Sequence, residues 1–184
     1  MIWLLLACAP SETTAVEKPT AEACAACGGE CLQEATPAIG RTHVETDVDY
    51  PSYPPSSGNH DPCWAEWGVY TEPLRTENWV HNLEHGGVVF VYASTIAAAD
   101  LAVLTTWVEA LPEGRAILTP AAAPMDAVVA AVSWEHRLLL GCFDGAELDD
   151  FFWDHVGRAP EDVTSGPSET CTMAGDTAES GGAR

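Results

Sequence analysis

The stretch that decides the fold runs from Thr76 to Tyr92 and reads TENWVHNLEHGGVVFVY. Thr76 suits a helix N-cap, and the glycine pair Gly86-Gly87 would end a helix that begins there. The following run, Val88 to Tyr92, is continuously apolar and rich in β-forming residues, which is typical of a strand covered on both faces. The sequence therefore predicts a short helix over residues 77–85 followed directly by a buried strand.

The chain after Tyr92 predicts further helices and strands. Ser94 or Thr95 is expected to cap a helix whose leucines and valine recur at helical spacing, and Pro112 ends it. A last helix is expected to begin with a capping box at Asp144 and to stop near Gly157. Between them, residues 115–119 and 137–143 read as strands, and residues 127–134 read as a strand that composition would also allow as a helix.

If the ambiguous residues 127–134 are left aside, the predicted elements from Val88 onward follow the order strand–helix–strand–strand–helix. It predicts an α+β domain, with a small mixed or antiparallel sheet and two main helices on one face. A long segment rich in proline and glycine precedes it, and these residues exclude regular structure from Tyr50 to Pro73. The tryptophans and tyrosines of the segment argue against disorder. A long ordered connection of this kind is typically functional.

The composition limits the classes of partner. Among 184 residues, 28 are acidic and 7 basic, which gives a formal net charge of −21. Such a surface repels phosphate backbones and anionic lipid, so we expect no nucleic-acid partner. The sequence contains no serine nucleophile elbow, phosphate loop, dinucleotide fingerprint or calcium loop. A catalytic residue therefore cannot be named from motifs.

The N-terminus resembles a bacterial lipobox. Leu5-Leu6-Ala7-Cys8 ends a short apolar run, so residues 1–8 are expected to be a lipoprotein signal, with Cys8 lipidated. The run is shorter than a usual signal core, so either the true start lies upstream or the signal is minimal. Residues 9–22 would form a tether, residues 23–162 a single domain, and residues 163–184 a disordered tail. We expect an exported cell-envelope lipoprotein whose lipid is its only membrane anchor.

The remaining cysteines are even in number, as expected for disulfides in an exported protein. The close spacing of the first three also allows a metal site built on thiolates. A disulfide formed by Cys171, the last cysteine of the chain, would pin the tail to the domain. The six disulfide candidates are Cys24, Cys27, Cys31, Cys63, Cys142 and Cys171.

The histidines around the predicted helix form a candidate metal site. His81 and His85 are four residues apart, so on a helix they share one face. His60, in the stiff proline-rich loop, would be a third ligand, and Glu84 or Glu77 would orient the imidazoles. Three imidazoles suit copper or zinc. His43, His136 and His155 read as ordinary side chains.

Three other interpretations remain open. His81-x-x-Glu84-His85 matches an inverted zinc-protease signature, although a glycine pair should not follow it. A histidine before such a pair can also simply cap the C-terminus of the helix. The third alternative is an interaction protein whose loop binds a peptide, a glycan or a partner protein. The same aromatic residues could instead be structural and only pin the loop to the sheet. That aromatic set is Tyr50, Tyr53, Trp64, Trp67, Tyr70 and Trp79.

Several motifs resemble a bacterial family of domains of unknown function, whose members are largely exported or membrane-anchored. They are YPSYPPSSGNH at residues 50–60, WGVY at 67–70, VHNLEHGGV at 80–88, AVSW at 131–134 and RAPE at 158–161. The resemblance covers about residues 43–162 and implies domain limits but no activity. Cys63 departs from the family pattern, and we expect it to pair with Cys142.

Overall fold

The computed structural model describes Cys27 and residues 31–164. The lipobox with Cys8, the tether, Cys24, Cys171 and nearly all of the predicted tail lie outside the described residues, so those expectations stay predictions. Among residues 31–164, no helix is both long enough and apolar enough to cross a lipid bilayer.

A six-stranded mixed sheet forms the centre of the domain, in the order β1-β6-β5-β3-β4-β2. The β2–β4 and β3–β4 pairs are parallel, and the β3–β5, β5–β6 and β6–β1 pairs are antiparallel. The α+β prediction is confirmed. The strands are β1 (Cys31–Ala35), β2 (Gly68–Val69), β3 (Val88–Tyr92), β4 (Ala116–Pro120), β5 (Val129–Ser133) and β6 (His136–Leu140), and the helices are α1 (Thr76–Glu84), α2 (Ala98–Glu109) and α3 (Gly145–His155).

The sheet separates two hydrophobic cores, because alternate residues of a strand point to opposite faces. Val88 and Phe90 of β3 pack with α2 and α3. Val89 and Val91 pack on the other face with α1 and the proline-rich loop. The two main helices, α2 and α3, thus share one face of the sheet as predicted, and the short helix α1 lies on the other. A strand that is apolar at every position needs both faces covered, and α1 covers the second.

Local capping chemistry explains which helix boundaries were predicted well. Asp144 caps α3 as expected, since its Oδ1 accepts hydrogen bonds from the backbone N–H groups of Ala146 and Glu147. Helix α2 begins later than predicted: residues 94–96 form a turn, and Ala97 takes the N-cap position. Thr76 is not the N-cap of α1 as predicted but its first residue, and Arg75 takes the N-cap position. Strands β1 and β2 were not predicted. Strand β2 is only two residues long and lies inside residues 50–73, so the expectation that this segment has no regular structure was wrong there.

The disulfides correct one predicted pairing. Cys142 is bonded to Cys27, not to Cys63. Cys31 and Cys63 are also disulfide-bonded, so each of the described cysteines is oxidised, as predicted. A thiolate metal site that includes Cys27 and Cys31 is excluded by these bonds. Disulfides persist in oxidising compartments, which indicates an extracytoplasmic environment.

Candidate metal centre

Four side chains from the first half of the domain sequence converge on one point. His43, His60, His81 and Glu84 each offer one ligand atom, and these four atoms lie within 4.8 Å of one another. Two of the residues belong to α1, and the other two come from the chain that precedes it. Among residues 31–164, this is the group of histidines, cysteines and carboxylates with metal-binding geometry.

The proline-rich loop fixes the His60 ring in one orientation. Its Nδ1 lies 2.8 Å from the carbonyl oxygen of Gly58. A carbonyl oxygen only accepts, so Nδ1 carries the hydrogen and the neutral ring presents the lone pair of Nε2 to the cluster. The ring is completely buried. Histidine ligands of metals are commonly held in this way by a backbone carbonyl.

The His81 ring on α1 is held by the same device. Its Nδ1 donates to the carbonyl oxygen of Asp61, at 2.7 Å, which again leaves Nε2 as the free lone pair. Arg75 pairs with the Asp61 carboxylate and so stabilises that part of the loop. Burial, followed by the neighbouring imidazoles, lowers the pKa of His81 to about 3. His81 is thus neutral at physiological pH, as a metal ligand must be.

His43 joins the site through its backbone. A parallel bridge connects residues 43 and 60: Val44 N–H donates to the His60 carbonyl oxygen at 2.8 Å, and His60 N–H donates to the Thr42 carbonyl oxygen at 3.1 Å. The His43 ring centroid lies 4.7 Å from that of His81. His43 is the exposed member of the cluster. Sequence reasoning missed it, since no periodic pattern surrounds it; its position at the start of the family-like stretch was the available signal.

Glu84 lies in the cluster as a ligand candidate rather than as a carboxylate that orients imidazoles. Its Oε2 is 3.0 Å from His60 Nε2, and its Oε1 is 2.9 Å from Arg41 Nε. The Glu84 side chain is only 3% exposed. A carboxylate oxygen and an imidazole lone pair are both acceptors, so at this separation they need a cation or a proton between them.

His85, a predicted ligand, lies beside the cluster rather than in it. Its Nε2 is 3.1 Å from His81 Nε2 and 3.3 Å from Glu161 Oε2. Its Nδ1 is buried and faces no hydrogen-bond partner among the described residues. The Glu161 carboxylate can only accept, so Nε2 carries the hydrogen of the neutral ring and directs it to Glu161, which leaves the single lone pair of His81 Nε2 to the cluster. Burial lowers the pKa of His85, which keeps the ring neutral.

Glu77, predicted to orient the imidazoles, is placed elsewhere. Its Oε1 accepts a hydrogen bond from Val48 N–H at 2.8 Å, and its Oε2 lies 3.3 Å from Arg75 Nε. The Glu77 backbone carbonyl accepts from Asp61 N–H at 3.2 Å. Glu77 thus ties α1 to the loop that supplies the carbonyl partner of His81.

Two further contacts shape the surroundings. Trp64 packs against His81 and His85, with ring centroids 5.0 and 4.5 Å away. The segment 157–163 crosses the C-terminal end of α1: Glu161 N–H donates to the Glu84 carbonyl oxygen at 3.0 Å, and Val163 N–H donates to the His85 carbonyl oxygen at 3.1 Å. These bonds satisfy carbonyls that a helix end leaves free.

Most of the aromatic set holds the loop against the sheet. Trp79 is fully buried in α1, and four others pack at the edge of the same core. Asn82 supports them, since its side chain accepts from Ala65 N–H and donates to the Ala65 carbonyl oxygen at 2.8 and 2.9 Å. The four that pack at the edge are Tyr50, Tyr53, Trp67 and Tyr70.

Comparison with known proteins places the chain in a family but does not assign an activity. No functionally curated protein and no solved structure is significantly similar to it. The model of a family described as "protein of unknown function (DUF3105)" matches residues 43–170, more than half of the chain. The match begins at His43 and spans all four residues of the cluster. The chain therefore belongs to the DUF3105 family of proteins of unknown function.

Proposed function

We propose that this protein binds one transition-metal ion, zinc or copper, through His43, His60, His81 and Glu84. The observation that carries the proposal is the pair His60 Nε2 and Glu84 Oε2, two buried acceptors 3.0 Å apart. His60 Nδ1 already donates to Gly58, so the neutral ring has no hydrogen to offer Glu84. A metal ion coordinated by both atoms satisfies them at once.

A proton is the competing occupant. Doubly protonated His60 would form a buried ion pair with Glu84, and the cluster would then be a structural lock between loop and helix. The other two imidazoles favour the metal. An ion pair needs neither His43 nor His81, yet both present ligand atoms within 4.8 Å of the other two.

The donor set favours small ions that prefer nitrogen. Three imidazoles and one carboxylate oxygen suit tetrahedral zinc, and imidazole also suits copper(II). A copper(I) site would be expected to use thiolates or thioethers, and the described cysteines are held in disulfides. Affinity alone would favour copper over zinc, so the supply of each ion decides which is bound in the cell.

The hydrolase alternative has less support. In that signature the glutamate is a free base that activates water. Here Glu84 Oε1 is paired with Arg41 and Oε2 faces His60. Both oxygens are thus engaged, and we propose metal binding without a committed reaction. The non-metal alternative is also weakened, since most of the aromatic residues that would form its surface pack on the core.

The test is metal content per chain. Wild-type protein purified in its oxidised form should bind one equivalent of zinc, measured by elemental analysis and by isothermal titration. His60→Ala and His81→Ala should each lose at least a hundredfold in affinity. His43→Ala is the most informative variant, because the exposed ring can be removed without a cavity. His136→Ala, on β6 and outside the cluster, is the matched control and should bind like the wild type. Equal metal content in all variants would contradict the proposal.

We also propose that the domain is displayed on the cell envelope by a lipid on Cys8, followed by a tether over residues 9–22. The support is the lipobox-like LLAC together with the extracytoplasmic environment that the disulfide indicates. Mass spectrometry of membrane-fraction protein should find an acylated Cys8 as the first residue. Recovery of protein with an intact Met1 from the cytosol would contradict this proposal.

A further inference from the structure

We infer that Arg41 determines which metal ions the site accepts, by holding one oxygen of Glu84 so that the carboxylate acts as a one-oxygen ligand. This inference rests on the proposed metal site. Arg41 is not a ligand itself, because a guanidinium has no lone pair to offer. It acts on the ion through the carboxylate that it positions.

The two oxygens of Glu84 have different partners. Oε1 lies 2.9 Å from Arg41 Nε, and Oε2 lies 3.0 Å from His60 Nε2. The carboxylate is buried, whereas the Arg41 side chain is 56% exposed. A second carboxylate, Glu161, lies 3.7 Å from Arg41 on its other side. Arg41 thus forms ion pairs with two acids, and the closer pair is the one with the buried Glu84.

This arrangement discriminates between metal ions by the number of ligands that each ion requires. Calcium takes six to eight oxygens and commonly uses carboxylates through both oxygens. With Oε1 held by Arg41, the cluster offers such an ion a single oxygen and three nitrogens. A small tetrahedral ion needs only one carboxylate oxygen, so zinc loses nothing by the restriction.

Charge acts in the same direction. The positive charge of Arg41 offsets the negative charge of the Glu84 carboxylate, so the ligand set together with Arg41 is close to neutral. Hard ions, which are attracted mainly by negative charge, gain little from such a set. Ions that prefer imidazole keep their three nitrogen bonds. The other arginines with recorded ion pairs contact acids outside the cluster: Arg75 with Asp47, Asp61 and Glu77, Arg115 with Asp162, and Arg137 with Glu34.

The experiment compares wild type, Arg41→Gln and the matched control Arg137→Gln, whose ion pair with Glu34 joins β6 to β1. Zinc and manganese affinities are measured by competition titration, and the visible spectrum of the cobalt(II) form is recorded. In Arg41→Gln the ratio of zinc to manganese affinity should fall at least tenfold. The cobalt absorption should weaken, because five-coordinate cobalt absorbs less strongly than tetrahedral cobalt. Arg137→Gln should match the wild type in both measurements.

The outcomes separate the two proposals. If the wild type binds no cobalt or zinc, both the metal site and the role of Arg41 are overturned. If the wild type binds both ions and Arg41→Gln keeps the same affinity ratio and spectrum, only the role of Arg41 is overturned. A loss of folding in Arg41→Gln would lower all affinities together, whereas the inference requires that manganese binding weakens less than zinc binding or becomes tighter.

Discussion

At the scale of single residues, the partner of each Nδ1 decides what a histidine in this site can do. His60 and His81 each donate from Nδ1 to a backbone carbonyl, so their Nε2 atoms are acceptors. His85 has no such partner among the described residues, so its Nε2 is a donor. Three neighbouring imidazoles thus divide into two ligand candidates and one hydrogen-bond donor, a division that residue spacing does not reveal.

A comparison of His43→Ala with His85→Ala tests this division. We expect His43→Ala to weaken zinc binding by at least a hundredfold, because a ligand is lost. His85→Ala should weaken it by about tenfold, as for residues that act through a ligand. Isothermal titration at neutral pH measures both. The reverse order would show that His85, as the sequence first indicated, is the ligand and His43 is not.

His155 on α3 makes stability depend on pH. Its ring stacks on His136 and lies tilted against Phe151, with centroids 4.4 Å away in each case. Burial, and then the charge of His136, lowers the pKa of His155 to about 4. Between that value and about 6.5 the unfolded chain binds more protons than the folded one, so the free energy of unfolding rises with pH across this window and falls on acidification.

His155→Gln should therefore make the pH dependence of stability shallower. We expect about 1 kcal/mol less loss between pH 6.5 and 4 than in the wild type, allowing for the partial exposure of the ring. Urea unfolding at a series of pH values, with a chelator present so that metal binding does not contribute, measures the difference. Identical slopes for the two proteins would contradict this assignment.

At the scale of elements, α1 is an unusual helix because its buried face carries polar side chains. The buried residues of α1 include acids, amides and a histidine beside Trp79, Val80 and Leu83. Asn82 and Asn78 hydrogen-bond the loop backbone at Ala65 and Cys63. These bonds replace the ladder that an irregular loop lacks, so the helix that supplies two of the ligand candidates also anchors the loop that supplies a third.

Gly87, directly after α1, is the position where this packing tolerates no side chain. A Cβ there would lie 2.2 Å from the Trp67 ring and 3.1 Å from the Asn82 carbonyl oxygen. Gly87→Ala should lower the free energy of unfolding by about 2 kcal/mol, as for an overpacked core. Gly145→Ala is the control, because its Cβ would meet only the Phe143 ring at 3.5 Å. Urea denaturation of both variants distinguishes them, and equal midpoints would contradict the prediction.

The parts of the fold that follow from local patterns were predicted well. Gly86-Gly87 ended α1, the apolar run gave β3, and Asp144 capped α3. His60 and His81 were identified because one lies in a stiff loop and the other on a helical face. The positions of His43, Arg41 and Glu161 depend instead on contacts between distant segments. Their pairings with residue 60, with Glu84 and with the end of α1 leave no period in the sequence.

At the scale of the whole molecule, the sheet keeps the site apart from the Cys27–Cys142 disulfide. Cys27 packs against the core that holds α2 and α3, whereas α1 and the loop lie on the opposite face. The bridge from Cys27 to Cys142 closes a separation of 115 residues. Because loss of such a long crosslink enlarges the unfolded ensemble, we expect its removal to lower stability without changing the geometry of the candidate metal centre.

A Cys27→Ser, Cys142→Ser double variant should separate these effects. We expect the free energy of unfolding to fall by about 5 kcal/mol, as chain entropy predicts for a loop of this length. The folded variant should still bind one equivalent of zinc. Guanidinium unfolding and metal analysis measure the two quantities. Loss of metal from the folded variant would contradict the separation of the two faces.

Because the segment of residues 157–163 braces the site, completion of the site depends on the order in which the chain is synthesised. All four ligand candidates lie between His43 and Glu84, in the first half of the chain, yet backbone bonds from residues 157, 161 and 163 close the end of α1 beside them. A ribosome therefore releases the ligands well before it releases the segment that braces them. Assembly of the braced centre has to wait for a nearly finished chain, and a fragment that stops before residue 157 carries every ligand candidate without that closure.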